Sequence, residues 1–223
     1  MTASWAVLFD MDGTLVDTEV LLLEALAEEL AASGVRAVIR PEELRGRDVA
    51  GNLARLTTLM PAPVPAPELY ARVEGRVLDR LRLGVVPLPG AVGLLGALRR
   101  ARVPCALVSS SYRAMVDAVL PSLGGAGFAV TVAGDEVRRP KPDPEAYLTA
   151  AARLGIAPGR CVVVEDSPAG LRSGRAAGCV TVAVAPTAEP VALGVPGLTG
   201  LTVERLARLV DTEAAPAGPR GAG

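Results

Sequence analysis

From Pro89 onward, short apolar runs take turns with stretches whose apolar residues recur every three or four positions. That alternation predicts helices over 89–101, 112–120, 144–154, 168–177 and 202–210, and strands over 104–108, 128–133, 160–164 and 180–185. Strands separated by helices cannot pair as tight hairpins. They are joined by crossovers and lie parallel, with helices covering both faces of the sheet. Trp5-Ala6-Val7-Leu8-Phe9 reads as one more buried strand at the front of the chain. The expected fold class is therefore α/β, a Rossmann-like doubly wound parallel sheet.

Nothing between residues 17 and 85 reads as a strand. Leu22, Leu26 and Leu30, with Leu23 and Ala27 beside them, predict a helix over 17–33 whose face at 21–30 packs as core, and Gly34 stops it. Further helices are expected over 41–60, broken near Gly46, and over 68–83. A proline-rich linker separates them at 61–67. The expected organisation is a core of 1–16 and 86–212, an all-helical insertion at 17–85, and a disordered tail at 213–223. The junctions near 14–18 and 83–87 are candidate hinges, and a module carried on two hinges can act as a lid.

The chain has 223 residues, half of them hydrophobic, which suffices for a sizeable core. A net charge of -1 argues against nucleic acid or a membrane surface as partner. No apolar run approaches the ~18 residues of a membrane span. The front of the chain enters its first strand without room for a signal peptide, so a cytoplasmic location is expected, as a monomer or weak homodimer. Cys105, Cys161 and Cys179 lie in or beside apolar runs and read as buried free thiols. There is no histidine, so proton transfer falls to carboxylates, lysine, tyrosine or water. Of 23 basic residues 22 are arginine, which singles out Lys141.

Three predicted strands end in polar groups. Asp10 and Asp12 follow the first, Ser109-Ser110-Ser111 follow the strand at 104–108, and Glu165-Asp166 follow the strand at 160–164. Arg139-Pro140-Lys141-Pro142-Asp143-Pro144 precedes a helix. In an open parallel sheet such points converge on one crevice. Phosphoryl transfer asks for that set. A phosphomonoester dianion repels an attacking carboxylate, so a divalent cation must neutralise both. Hard carboxylate oxygens suit Mg²⁺. Asp10, Asp166 and the carbonyl of Asp12 are candidate ligands, with Glu165 in reserve through water. Ser109 can donate to a phosphoryl oxygen, and Lys141 can bridge that oxygen and the nucleophile as a compact charge that an arginine fork would not match. Proline on both sides is expected to present Lys141 on a stiff, extended segment. Ser167-Pro168 reads as an N-cap followed by the first helical residue.

With these residues in view, the chain resembles the haloacid dehalogenase superfamily, in its phosphatase and phosphomutase branch with a helical cap. The resemblance rests on four motifs in order: Phe9-Asp10-Met11-Asp12-Gly13-Thr14-Leu15-Val16-Asp17-Thr18-Glu19, Ser109-Ser110-Ser111, Lys141-Pro142-Asp143-Pro144, and Val164-Glu165-Asp166-Ser167-Pro168-Ala169-Gly170. It spans residues 1 to about 210 and implies a mechanism. Asp10 attacks phosphorus to form an aspartyl phosphate. Asp12 protonates the leaving oxygen and then takes a proton from the hydrolytic water, and Mg²⁺ stabilises the charge.

The resemblance also implies a substrate-reading loop near Arg45 and Arg47, and substrate contacts are expected from Arg47, Ser110 and Arg113. Asp17, Thr18 and Glu19 are read as a helix cap or hinge, and Asp135-Glu136 as a loop. A halide-releasing member would lack the second aspartate and the metal site. Members resembling β-phosphoglucomutase carry a histidine in the first cap helix and a cap lysine. Leu22 stands at that histidine's place, and the one lysine lies in the core. The expected activity is hydrolysis of a small sugar or polyol phosphate, and the alternative is a phosphomutase.

Overall fold

The computed structural model describes residues 4–34, 57, 58, 60, 64–124 and 127–213. The chain forms two compact units, Asp17–Val85 and Met1–Val16 together with Val86–Gly223. The helix expected over 41–60 falls largely outside the described residues, as do Arg45, Arg47 and the tail from 214.

Among its described residues the smaller unit is helical. Helices α1 (Glu19–Ala32) and α2 (Ala66–Leu83) pack on each other. From α2 come Leu69, Val73, Val77 and Leu81, a strict four-residue repeat along one buried stripe. From α1 come Ala25, Leu26, Glu29 and Leu30. The expected face was turned: Ala27 is exposed, and Leu22 and Leu23 are half-buried. The turn brings a carboxylate inside. Glu29 is 3% exposed and takes Arg72 Nε at 2.8 Å on one oxygen and Arg76 Nε at 3.0 Å on the other. Buried charge is tolerated where it is paired and hydrogen-bonded. Periodicity counts apolar residues and so missed it.

The larger unit is built on a six-stranded parallel sheet: β1 (Ala6–Phe9), β2 (Cys105–Val108), β3 (Val130–Val132), β4 (Cys161–Glu165), β5 (Val180–Ala183) and β6 (Leu193–Gly194). Their order is β3-β2-β1-β4-β5-β6. Ala6 and Leu8 join Ala106, Val108, Val163, Tyr147 and Ala150 in one core cluster. Val7 and Phe9 point the other way and are equally inaccessible. Both faces are therefore covered, which is why these strands read as unbroken apolar runs. The covering helices are α3 (Ala91–Arg100), α4 (Arg113–Val119), α5 (Glu145–Leu154), α6 (Pro168–Ala176) and α7 (Val203–Glu213). The expected strand at 128–133 shortens to three residues, and that at 180–185 ends at Ala183. The two-residue β6 carries no sequence pattern; it exists through its pairing with β5.

Phe9 lies opposite Leu107 of β2 and Val164 of β4. That register sets the carboxyl ends of the three central strands side by side. The three cysteines are buried and unbridged. Among the described residues no helix is long and apolar enough to cross a membrane.

Candidate active site

Asp10 continues β1 by one residue, its N–H donating to Val164 O at 3.0 Å. The chain then closes a tight loop. Met11 O accepts the N–H groups of Leu15 at 2.9 Å and Val16 at 3.1 Å, and Gly13 N–H donates to Val16 O at 2.8 Å. Gly13 holds φ +79° at the turn, and a Cβ there would lie 2.2 Å from Asp166 Oδ2. The glycine is needed twice, for the backbone angle and for the space. Thr14 Oγ1 donates to Asp166 Oδ1 at 3.3 Å. The first motif is thereby tied to the end of β4.

Ser109 follows β2, its N–H donating to Val132 O at 3.0 Å. Its hydroxyl donates to Asp12 Oδ2 at 3.0 Å and accepts the Ser111 N–H at 2.9 Å. Ser111 Oγ donates to the same Asp12 oxygen at 2.8 Å. Two hydroxyls thus fix one Asp12 oxygen. Sequence reasoning gave Ser111 no definite part; the signal was its i+2 spacing from Ser109. Ser110, which was expected to touch substrate, is exposed, and its carbonyl backs onto Gly134, where a Cβ would lie 2.1 Å away.

Lys141 departs from the extended segment expected of it. The Lys141–Pro142 peptide is cis, and Asp143 N–H closes a turn onto Pro140 O at 3.0 Å. A cis proline at the third position of a four-residue turn reverses the chain. Lys141 Nζ reaches Asp10 Oδ1 at 2.7 Å, Glu165 Oε1 at 2.8 Å and Val108 O at 3.0 Å, with its side chain 5% exposed. The Tyr147 ring lies beneath the ammonium, its centroid 4.8 Å away, and Tyr147 Oη donates to Glu165 Oε1 at 3.0 Å. Tyr147 was not foreseen. Its signal was a lone hydroxyl on the alanine-rich buried face of α5.

Glu165 ends β4 with no exposed surface. Its Oε2 takes the N–H and hydroxyl of Ser167, at 3.0 and 2.9 Å. With Lys141 and Tyr147 on Oε1, four donors converge on one carboxylate. A Cβ on Gly170 would sit 1.5 Å from Oε1, so α6 can lie here only with glycine at that position. Ser167 accepts the Gly170 N–H at 3.0 Å and Pro168 fills the first helical position, as expected of an N-cap.

The electrostatics follow from this crowding. Burial, then the charge of Glu165, push Asp10 well above the usual carboxylate range despite Lys141. Burial and Glu165 push Asp166 up to about 6. Burial works against the Lys141 ammonium, but its neighbours Asp10, Tyr147 and Glu165 outweigh it and hold its pKa well above the ordinary lysine value. Burial also works against the Glu165 carboxylate, yet Lys141 and Ser167 keep it below its usual value. Asp10 and Glu165 share the Lys141 ammonium, and Asp166 lies beside them with the Thr14 hydroxyl on one oxygen. Asp10, Glu165 and Asp166 each offer an oxygen within 4.8 Å of the others. Hard oxygens in excess of local positive charge fit a divalent cation.

Arg113 is held elsewhere. Its guanidinium donates to Glu136, to Asp117 at 3.2 Å and to Thr131 Oγ1 at 2.9 Å, and its N–H to Asp135 at 3.0 Å. Asp135 and Glu136 stand in or beside the short turn Gly134–Glu136 and serve as its anchor. Asp17 accepts the Glu19 N–H at 3.2 Å at the start of α1, and the Thr18 side chain makes no cap bond.

The family model of haloacid dehalogenase-like hydrolases matches residues 6–178. The chain is 38% identical over 188 residues to hexitol phosphatase A of Escherichia coli, covering 82% of this chain and 84% of that protein. It is 34% identical over 190 residues to validoxylamine A 7'-phosphate phosphatase of Streptomyces hygroscopicus, covering 83% and 88%. The crystal structure of CbbY from Rhodobacter sphaeroides in complex with phosphate superposes with a TM-score of 0.76 at 28% identity, over 92% of this chain and 99% of that one. The matched span contains all four motifs, three at strand ends and the Lys141 motif before α5. The chain belongs to the haloacid dehalogenase-like hydrolases and is a phosphoric monoester hydrolase of their phosphatase and β-phosphoglucomutase-like branch.

Proposed function

We propose that this hydrolase is a Mg²⁺-dependent phosphatase acting on a small sugar or polyol phosphate through a phosphoryl group carried on Asp10. The observation that carries the reading is the division of labour between Asp10 and Asp12. Lys141 Nζ holds Asp10 Oδ1 at 2.7 Å, while the Ser109 and Ser111 hydroxyls hold Asp12 Oδ2. One carboxylate is oriented by a fixed cation and the other by two hydroxyls that can turn. The first arrangement suits a nucleophile and the second a proton carrier.

Asp10 Oδ attacks phosphorus, and the bond from phosphorus to the substrate oxygen breaks. Asp12 gives its proton to that leaving oxygen. Asp12 then removes a proton from water as the water attacks the acyl phosphate. The bond from phosphorus to Asp10 breaks, and inorganic phosphate leaves. Lys141 is assigned to meeting charge on the phosphoryl oxygens, and the Ser109 hydroxyl joins it by turning away from Asp12 Oδ2. Asp10 and Asp166, with the Asp12 carbonyl, would hold Mg²⁺, which supplies charge neutralisation for the approaching dianion. Glu165 is assigned to fixing Lys141, because four donors already occupy it.

The activities of the hexitol and validoxylamine phosphatase relatives support a small polyhydroxylated phosphomonoester as substrate. Expected is Mg²⁺-dependent release of phosphate from para-nitrophenyl phosphate and from hexitol phosphates, abolished in Asp10→Asn. Full activity of that variant would sink the reading. Phosphorus NMR with β-glucose 1-phosphate separates the alternative: glucose 6-phosphate accumulating faster than inorganic phosphate would make the protein a mutase.

A further inference from the structure

A second cavity of about 480 Å³ opens at the opposite edge of the sheet, where β2 and β3 begin. Pro104, Val130, Leu154 and Ile156 form apolar walls, and Arg99, Arg102 and Arg153 stand around it. Among the described residues no carboxylate lines it, in a chain whose acidic residues outnumber its basic ones. Cys105 completes the floor. Burial pushes its thiol up to about 12, so it stays neutral and acts as apolar wall, unsuited to binding metal.

The backbone adds an independent observation. Helix α3 ends with Arg102 N–H on Arg99 O and Val103 N–H on Leu98 O, both at 3.0 Å. This closure needs a left-handed residue after the helix, a place that glycine fills at least strain. Gly34, Gly155 and Gly178 fill it after α1, α5 and α6. After α3 it is Arg102, at φ +56°, the one non-glycine residue with positive φ among the described residues. Helix-end electrostatics account for Arg99 and Arg153, which lie in the last turns of α3 and α5. They do not account for Arg102, which lies past the helix. Arg153 is engaged by Glu136 at 3.1 Å and Thr131 O at 3.0 Å. Neither Arg99 nor Arg102 has an ion pair or side-chain hydrogen bond among the described residues.

We infer that this cavity is a second binding site, for a small amphipathic anion: a phosphate, sulfate or carboxylate group on an aromatic or aliphatic body. The anionic group would sit on Arg102 and Arg99 and the body against Pro104, Val130 and Leu154. The volume is that of pockets that take organic ligands of moderate size, and guanidinium forks match such oxyanions. The edge is the one opposite the carboxylates, so occupancy does not compete with the phosphoryl site.

Anilinonaphthalene sulfonate carries this chemistry. Titrated by fluorescence into the full chain with Mg²⁺, it is expected to fill one saturable site. Arg102→Gly should weaken binding about tenfold without lowering the thermal midpoint, since glycine relieves the backbone. Arg99→Gln with Arg102→Gly should abolish saturable binding while para-nitrophenyl phosphate turnover is kept. Neutral N-phenylnaphthylamine should bind more weakly and ignore both substitutions. Absence of a saturable site, equal affinity in the double variant, or equal affinity of the neutral probe would each overturn the inference.

Discussion

Lys141 holds three acceptors and an aromatic face with one ammonium. A guanidinium is wider and planar, and cannot place a single point of charge among Asp10, Glu165 and Val108 O. Lys141→Arg should therefore keep the net charge and lower kcat about 100-fold or more. Steady-state turnover of para-nitrophenyl phosphate measures it, and near-native rates would dismiss the argument. Tyr147→Phe removes one of four donors to a buried carboxylate and should cost about 1–3 kcal/mol in urea unfolding. An unchanged midpoint would mean that the hydroxyl contributes nothing. Lys141 was legible because it is the sole lysine. Tyr147 was not, because a tyrosine on an apolar helix face looks like any other core aromatic until its hydroxyl meets Glu165.

At the scale of elements, close approach decides. Helix α6 passes so near the end of β4 that a methyl group on Gly170 would overlap the Glu165 carboxylate. Gly170→Ala must displace either the helix or the carboxylate that fixes Lys141. We expect a loss of about 3 kcal/mol or more, seen as a lowered urea midpoint. Glu165→Ala in the same chain should recover part of it, and simple additivity of the two changes would contradict the contact. The α1–α2 pair makes an asymmetric prediction. The Glu29 side chain is 4% exposed, whereas those of Arg72 and Arg76 are 41% and 36% exposed. Removing both arginines strands a buried charge. Replacing Glu29 with Gln leaves two solvated ones. Arg72→Ala with Arg76→Ala should thus destabilise the chain by about 3 kcal/mol, and Glu29→Gln by less. The reverse order in thermal unfolding would refute the burial argument. The helices were legible from their repeats. The inward turn of Glu29 was not, since it depends on which residues of α2 lie opposite.

Across the whole molecule, stability responds to pH and to ligand. Burial lifts the Cys105 thiol from its ordinary value near 9 up to about 12. The folded chain then keeps its proton where the unfolded chain gives it up. The resulting stabilisation is complete below about pH 9 and is lost as pH rises towards about 12. Cys105→Ala should flatten that part of the pH–stability curve, and an unchanged curve would show that the thiol is not linked. With the carboxylates of Asp10, Glu165 and Asp166 each offering an oxygen within 4.8 Å of the others, chelation should lower the thermal midpoint. Saturating Mg²⁺ should restore it by mass action, by about 2.7 kcal/mol at a hundredfold excess over Kd. No shift on chelation would argue against a metal at Asp10 and Asp166.

The alternation of apolar runs with helical periods sufficed to identify the parallel α/β architecture, because strands buried on both faces must be apolar throughout. The polar residues ending those runs marked the crevice, because the chain turns there. Both are local properties that each segment carries alone. Lys141 is seated between Asp10 and Glu165 only when its turn packs against the ends of β1 and β4. Tyr147 acquires its partner only when α5 packs beside β4. The arginine cavity needs the starts of β2 and β3 to lie together. These are contacts between segments far apart in sequence, so their residues carry no mark of them until the chain has folded.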